Sequence, residues 1–263
     1  MTKCYLVEAD YKALEAQLVG YYAGDPGYLR AAKMGVHAIL QSHVQDKVID
    51  LSLPDYQILD MVRRLKKDDP VMYDNCKHVV HGSNYGGSAK RMRMEFPDAF
   101  ESVAAAKRIQ DIYFSTIARK VKQWQQHTLH LAYQQHFLEN VFGYRHYFWD
   151  ALHYVGNTLE WGTDAKKVLA FLPQSTGAGV LSEALLRLHT FPEVFRMARW
   201  IIHDSLLAEI PEDKLPWAIG VIKHCMEYPI ALLGGLSIEV DVKIGVNWSQ
   251  MKDYKGEIME VTQ

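Results

Sequence analysis

Residues 3–11, Lys3-Cys-Tyr-Leu-Val-Glu-Ala-Asp10-Tyr11, decide how the rest of the chain is read. Tyr5, Val7 and Ala9 alternate with Cys4, Leu6, Glu8 and Asp10, the period of two that a β-strand requires. The strand ends on a carboxylate, and a helical pattern takes over from Tyr11 to about Gln45, interrupted by the turn cluster Gly24-Asp25-Pro26-Gly27. A period of two returns near the other end, where Ile238, Val240, Val242 and Ile244 alternate with Ser237, Glu239, Asp241 and Lys243. Just before it, the apolar runs 199–203 and 206–210 flank Asp204-Ser205 and read as a hairpin with an Asp at its tip.

Working outward, residues 46–56 read as a loop, and helices dominate from about Tyr56 to Tyr133. They are broken near Pro70, at Gly86-Gly87 and around Phe96-Pro97-Asp98. The aromatic-rich stretch from Asn140 to Trp149 reads as a hairpin or turn, and further helices are predicted from about Gly177 to His189 and from about Asp213 to Leu233. Three strand regions thus bracket a long helical middle, an α+β organisation with no internal repeat and no low-complexity linker.

The 263 residues, 49% hydrophobic and 23% charged, exclude a disordered chain. No apolar run approaches the roughly 18 residues of a membrane span. The N-terminus shows no signal-peptide core. Cys4, Cys76 and Cys225 are far apart and odd in number, which suggests neither a disulfide framework nor a Cys-x-x-Cys metal site, so a reducing, cytoplasmic setting is expected. The net charge of −2 hides an asymmetry: residues 1–60 carry −3, residues 61–199 carry +6 and residues 200–263 carry −5. A basic middle beside acidic flanks fits a polyanion-binding region next to carboxylates kept for another purpose; helix faces of uneven sign would give the same numbers.

Two constellations carry chemistry. Asp10 and Asp204 would meet at one sheet edge if their strands pair, and two such carboxylates suit divalent cations that bridge to phosphates. An Asp at a strand end also serves as a turn former. In Tyr73-Asp-Asn-Cys-Lys77-His-Val-Val-His81-Gly-Ser-Asn-Tyr85-Gly-Gly87 every fourth residue from Tyr73 to Tyr85 falls on one helical stripe. A cation followed by two rings is what a nucleoside triphosphate needs; an amphipathic helix with an incidental Lys has the same pattern. His127 and His130 have no further ligand at metal spacing and read as a surface helix. Trp124, Trp161, Trp200 and Trp217 read as core or interface.

Asp10-Tyr-Lys-Ala-Leu-Glu15 resembles motif A, DYSxxE, of the family A (DNA polymerase I-like) DNA polymerases. Lys77-x3-His81-x3-Tyr85-Gly86 resembles motif B, K-x3-[FY]-x3-YG, and His203-Asp204-Ser205 resembles motif C, HDE. Between and beyond them, residues 139–145 resemble the ET-x-x-GRR segment, residues 172–176 the PxQGT segment, and residues 242–248 the terminal VGxxW strand. The motifs occur in the family's order and span nearly the whole chain.

The resemblance implies a palm, a small antiparallel β-sheet backed by helices, with a mainly helical fingers insertion. Residues 1–45 would be palm, 46–135 mainly fingers returning to palm, and 136–263 palm. It implies DNA-templated DNA synthesis from dNTPs on a primer-template, with Asp10, Asp204 and the Tyr11 carbonyl as ligands of two Mg²⁺ ions, or Mn²⁺ in their place. Lys77 would contact the triphosphate and serve as general acid. Glu15 would be the steric gate against a ribose 2′-hydroxyl, with His37, His81 and Tyr85 also at the nucleotide; Arg145, Gln174 and His203 would touch primer or template. Tyr73 stands where the family usually has Arg, His81 where it has Phe or Tyr, Ser205 where it has Glu, and Gln17 where motif A has Arg. No TGR or PNLQ segment occurs, which predicts a split polymerase whose thumb and remaining palm, and an exonuclease if there is one, lie on a separate polypeptide. That partner would complete the sheet at an edge strand beginning at Lys3. A bacterial or phage-infected cell is the expected setting. The alternatives are a catalytically inactive nucleic-acid-binding or assembly subunit and, last, a two-metal nuclease using Asp10, Glu15 and Asp204.

Overall fold

A computed structural model describes residues 3–259. In chain order its strands are β1 (Cys4–Tyr11), β2 (Phe137–Glu139), β3 (Arg145–Tyr147), β4 (Leu152–Val155), β5 (Thr158–Trp161), β6 (Ala198–Ile202), β7 (Ser205–Pro211), β8 (Val240–Gly245) and β9 (Lys252–Asp253). Its α-helices are α1 (Leu14–Tyr22), α2 (Pro26–Met34), α3 (Val36–Val44), α4 (Asp55–Asp68), α5 (Pro70–Asn84), α6 (Ala89–Glu95), α7 (Val103–Ile112), α8 (Val121–Gln135), α9 (Ala165–Leu188), α10 (Pro192–Phe195) and α11 (Leu215–Met226). The chain forms two compact units, one from the residues up to Leu14 and from Ser175 onward, the other from Glu15–Gln174. No helix among the described residues is long and apolar enough to cross a membrane.

The first unit is built on an antiparallel sheet in the order β6-β7-β1-β8-β9. β1 pairs with β7 from Cys4↔Pro211 to Asp10↔Ser205 and with β8 from Leu6↔Gly245 to Tyr11↔Val240. The edge-strand expectation for the segment beginning at Lys3 is therefore corrected: β1 is central, both its hydrogen-bonding sides are taken, and the sheet edges are β6 and β9. A strand with no hairpin neighbour in sequence shows alternation but not which flanks are paired, because both its partners come from the far end of the chain. Val7, Ala9 and Leu206–Ala208 are buried, and α11 lies against β7 and β8 with Ala218, Ile219, Val221, Ile222 and Cys225 buried. α11 stops at Met226, earlier than the sequence pattern suggested, because Pro229 follows and disfavours helical geometry in the residue before it.

The second unit is mainly helical, with two small hairpins, β2–β3 and β4–β5. Its larger core gathers Tyr28, Ile39, Leu40, Ile58, Val79, Phe100 and Tyr113, and a second cluster centres on Leu129, Leu138, Phe148 and Leu169. The turn signals act as caps. Asp25 accepts a hydrogen bond from the Tyr28 amide with Pro26 in the first turn of α2, and Asp69 does the same for Met72 ahead of Pro70 in α5. Ser88 and Ser102 cap α6 and α7. The β4–β5 hairpin was not anticipated, although Gly156-Asn157 between Val155 and Thr158 is a two-residue turn signal. α9 begins at Ala165 rather than near Gly177 and carries Pro173 inside it, where proline interrupts one backbone hydrogen bond without ending the helix.

Candidate active site

In the first unit, Asp10 sits near the end of β1, opposite Ser205 on β7 and Asp241 on β8. Asp204 occupies the tight turn between β6 and β7 beside His203, whose φ of +53° is left-handed. The carboxyl groups of Asp10 and Asp204 are close enough to share a hydrogen bond. Burial, then the Asp204 charge and Glu8, raise the Asp10 pKa from 3.8 to about 6, with Lys243 opposing. Two oxygen donors that resist ionising together suit a hard divalent cation, which would relieve both desolvation and repulsion. Tyr11 anchors this strand end: its hydroxyl donates to the buried Met226 carbonyl at 2.8 Å, and burial raises its pKa. Ser205 is buried and donates to the Ile202 carbonyl at 3.0 Å, so it staples the hairpin. Asp241, which the sequence reading did not single out, pairs with the Lys12 ammonium at 3.2 Å. No group of three or more His, Cys, Asp or Glu among the described residues is arranged to hold a metal, so the acidic set here is the pair.

In the second unit, α5 presents Tyr73, Lys77 and His81 at helical spacing, and Tyr85 is its C-terminal capping residue. His37 reaches the same place from α3. The Tyr73 hydroxyl lies 3.4 Å from its Nδ1, and the His37 and His81 rings are 5.6 Å apart. Burial, then the charges of His81, Lys77 and Lys66, lower the His37 pKa from 6.5 to about 3. His81 moves the same way, chiefly through burial, with Glu15 opposing. The Tyr85 hydroxyl donates to Glu15 at 2.7 Å, and the Gln174 amide donates to the other Glu15 oxygen at 3.4 Å. Burial and the Glu15 charge raise the Tyr85 pKa. Arg145 stands apart on β3, bonded to Glu139 at 2.7 and 2.9 Å and lying over the Phe137 ring.

The structure also brings in residues without a motif. A cavity of about 270 Å³ is lined by His81 and Tyr85 together with Arg91 and Lys166, two cations the sequence reading passed over. Gly86 has φ +72°, and a Cβ there would stand 2.4 Å from the Trp161 ring, so only glycine fits both the backbone and the space. The α5 terminus is held from beneath by side chains that look like ordinary polar residues in sequence. Gln125 donates to the Ser83 and Asn84 carbonyls at 2.7 and 2.9 Å, and Gln110 donates to the Gly87 carbonyl at 2.7 Å. Of the four tryptophans read as core or interface, Trp124 is in the core and Trp217 half-buried, while Trp161 and Trp200 are exposed.

Thus Asp10, Tyr11, His203 and Asp204 share one end of the sheet. Glu15, Tyr85 and Gln174 form one hydrogen-bonded group, and His37, Lys77 and His81 form another cluster. Comparison with known proteins bears on the family and the fold. The chain is 29% identical over 254 residues to a thermostable DNA polymerase I of Thermus thermophilus, covering 94% of this chain and 27% of that protein. It is 27% identical to a DNA polymerase I of Deinococcus radiodurans, covering 94% of this chain and 24% of that one. The chain thus spans about a quarter of the length of the curated relatives it matches. Among solved structures, the POL domain of Pol1 from M. smegmatis, in complex with DNA primer-template and dNTP, shares the fold with a TM-score of 0.71 at 19% identity, over 93% of this chain and 40% of that one. The family model described as DNA polymerase family A matches residues 1–250, and with the fold and the three motifs in the same chain, this protein belongs to the family A DNA polymerases.

Proposed function

We propose that this chain is the palm-and-fingers part of a DNA-templated DNA polymerase, transferring a nucleotide from a dNTP to a primer 3′-hydroxyl. The observation that carries the reading is the Asp10–Asp204 pair, two carboxylates from distant strands held together with one of them resisting ionisation. In this reading residues 1–45 and 136–263 belong to the palm and 46–135 mainly to the fingers. Asp10, Asp204 and the Tyr11 carbonyl would hold the divalent cations, magnesium or manganese. When bound, two such ions supply activation of the hydroxyl and neutralisation of the triphosphate. The 3′-oxygen bonds to the α-phosphorus as the bond to pyrophosphate breaks. Lys77 contacts the triphosphate and donates the proton that the departing pyrophosphate needs.

His37, held neutral, and His81 line the phosphate side, so the charge there comes from lysines, Lys77 and the neighbouring Lys66. Glu15, fixed by Tyr85 and Gln174, fills the space that a ribose 2′-hydroxyl would take. Arg145, Gln174 and His203 meet primer or template, where minor-groove contacts read pair shape more than sequence. We propose that a thumb-bearing polypeptide, with an exonuclease if there is one, completes the grip on the duplex. Purification with mass spectrometry of co-isolated chains tests that proposal.

The catalytic reading is tested by primer extension with the 263-residue chain, its co-isolated partner, dNTPs and Mg²⁺. Asp204→Ala should lower extension about a hundredfold or more, and chelation should abolish it. Extension by the variant at the wild-type rate overturns the assignment. Absence of incorporation with a partner present favours the inactive, DNA-binding alternative.

A further inference from the structure

The β2–β3 hairpin breaks the rule that an exposed strand face is polar. Its inward residues, Leu138 and Phe148, are each 1% exposed and complete a core cluster. By alternation the opposite face carries Phe137, Glu139, Arg145, Tyr147 and, just beyond β3, Trp149. Trp149 is 76% exposed and Tyr147 is 52% exposed. These side chains form an ordered row. The His136 and Trp149 rings stack at 5.7 Å with 28° between planes, Trp149 and Tyr147 stack at 6.2 Å and 15°, and Tyr147 meets Phe137 at 5.8 Å. The Arg145 guanidinium closes the row 4.3 Å from the Phe137 centroid.

Nothing in the packing of the second unit requires this row, since the hairpin's buried side is already filled. Aromatic rings exposed to solvent, near-parallel in two of the three contacts and tilted by 52° in the third, are what successive unpaired bases stack on. A duplex offers no base faces along its length, whereas a single strand offers one per nucleotide. We infer that this hairpin face is a stacking platform for single-stranded DNA. Taken with the polymerase reading, on which the identity of the strand rests, it holds unpaired template. Trp149 and Tyr147 supply the stacking surface, and Arg145, paired with Glu139 on the same face, caps the row over Phe137.

The test is fluorescence anisotropy of a labelled oligothymidylate, and of a blunt duplex of equal length, with the full chain and no dNTP. Trp149→Ala should weaken oligothymidylate binding about tenfold, and Tyr147→Ala should do likewise. Both should change duplex binding little. The factor for Trp149→Ala should be the same at low and high salt, because a ring carries no counterions to release. Trp149→Phe, which keeps a ring, should recover most of the affinity. The inference is overturned if the wild-type chain does not bind the oligothymidylate, if Trp149→Ala binds like wild type, or if Trp149→Phe is as weak as the alanine variant. A change of oligomeric state in Trp149→Ala by light scattering would instead make the row a protein interface, which also overturns it. Because no turnover is involved, ring-dependent binding without primer extension would sink the polymerase reading alone, and extension without ring-dependent binding would sink the platform alone.

Discussion

His37 shows how a single side chain ties the cluster between α3 and α5 to stability. Burial and the neighbouring charges of His81, Lys77 and Lys66 hold its pKa at about 3, against 6.5 for a free ring. Between those values the unfolded chain binds a proton that the folded chain refuses, so stability is lost as pH falls through that window. Thermal melting followed from about pH 7 to about pH 4 should therefore show a steeper decline for wild type than for His37→Asn. Identical profiles would mean that the ring is not held neutral. Asp10 works with the opposite sign: its raised pKa makes the folded state gain as pH falls from about 6 toward 3.8, which is why the comparison must be with the His37 variant. At this scale the sequence singled out Asp10, Asp204, Glu15 and Lys77 by side-chain chemistry and motif position. It was silent on Arg91 and Lys166, which reach the same cavity as His81 only through folding.

Among the elements, α5 is decisive, and what secures it comes from α7 and α8. The Gln125 amide spans the Ser83 and Asn84 carbonyls, which no helical donor satisfies at a C-terminus. Beneath, the Tyr113 hydroxyl donates to the Asn84 amide oxygen and is also hydrogen-bonded to the Tyr28 hydroxyl, and all three side chains are buried. Gln125→Leu strands both carbonyls and should destabilise the chain by about 1–3 kcal/mol in urea unfolding. Gln125→Glu, equal in shape but without a donor, should lose at least as much. A neutral Gln125→Glu would show that the amide bonds do not secure α5. Helix limits were readable from Asp-Pro caps and glycine pairs because those act locally. The central place of β1 was not, since strand order depends on pairing with segments some two hundred residues away.

For the whole molecule, charge and length matter most. The near-neutral total of −2 is the sum of a basic middle, +6 over residues 61–199, and acidic ends. If the basic middle meets the phosphate backbone, primer-template Kd should rise by at least about tenfold between about 50 mM and about 200 mM salt. Salt-independent binding would mean that the positive residues only solvate helix faces. The platform on β2–β3 should be the part of DNA binding that salt leaves in place, so the two contributions separate in one titration.

By itself the sequence determined the α+β class, the family resemblance and the candidate residues for phosphoryl chemistry. Residue type, strand period and motif order are properties of the chain read along its length. Tertiary structure alone decided that β1 lies between β7 and β8, that the Asp10 and Asp204 carboxyl groups come together, and that Glu15 is clasped by Tyr85 and Gln174. It also decided that the outer face of a small hairpin would be an open row of rings. Each of these joins positions that are independent in sequence, and burial, pairing and proximity come into being only when the chain closes on itself.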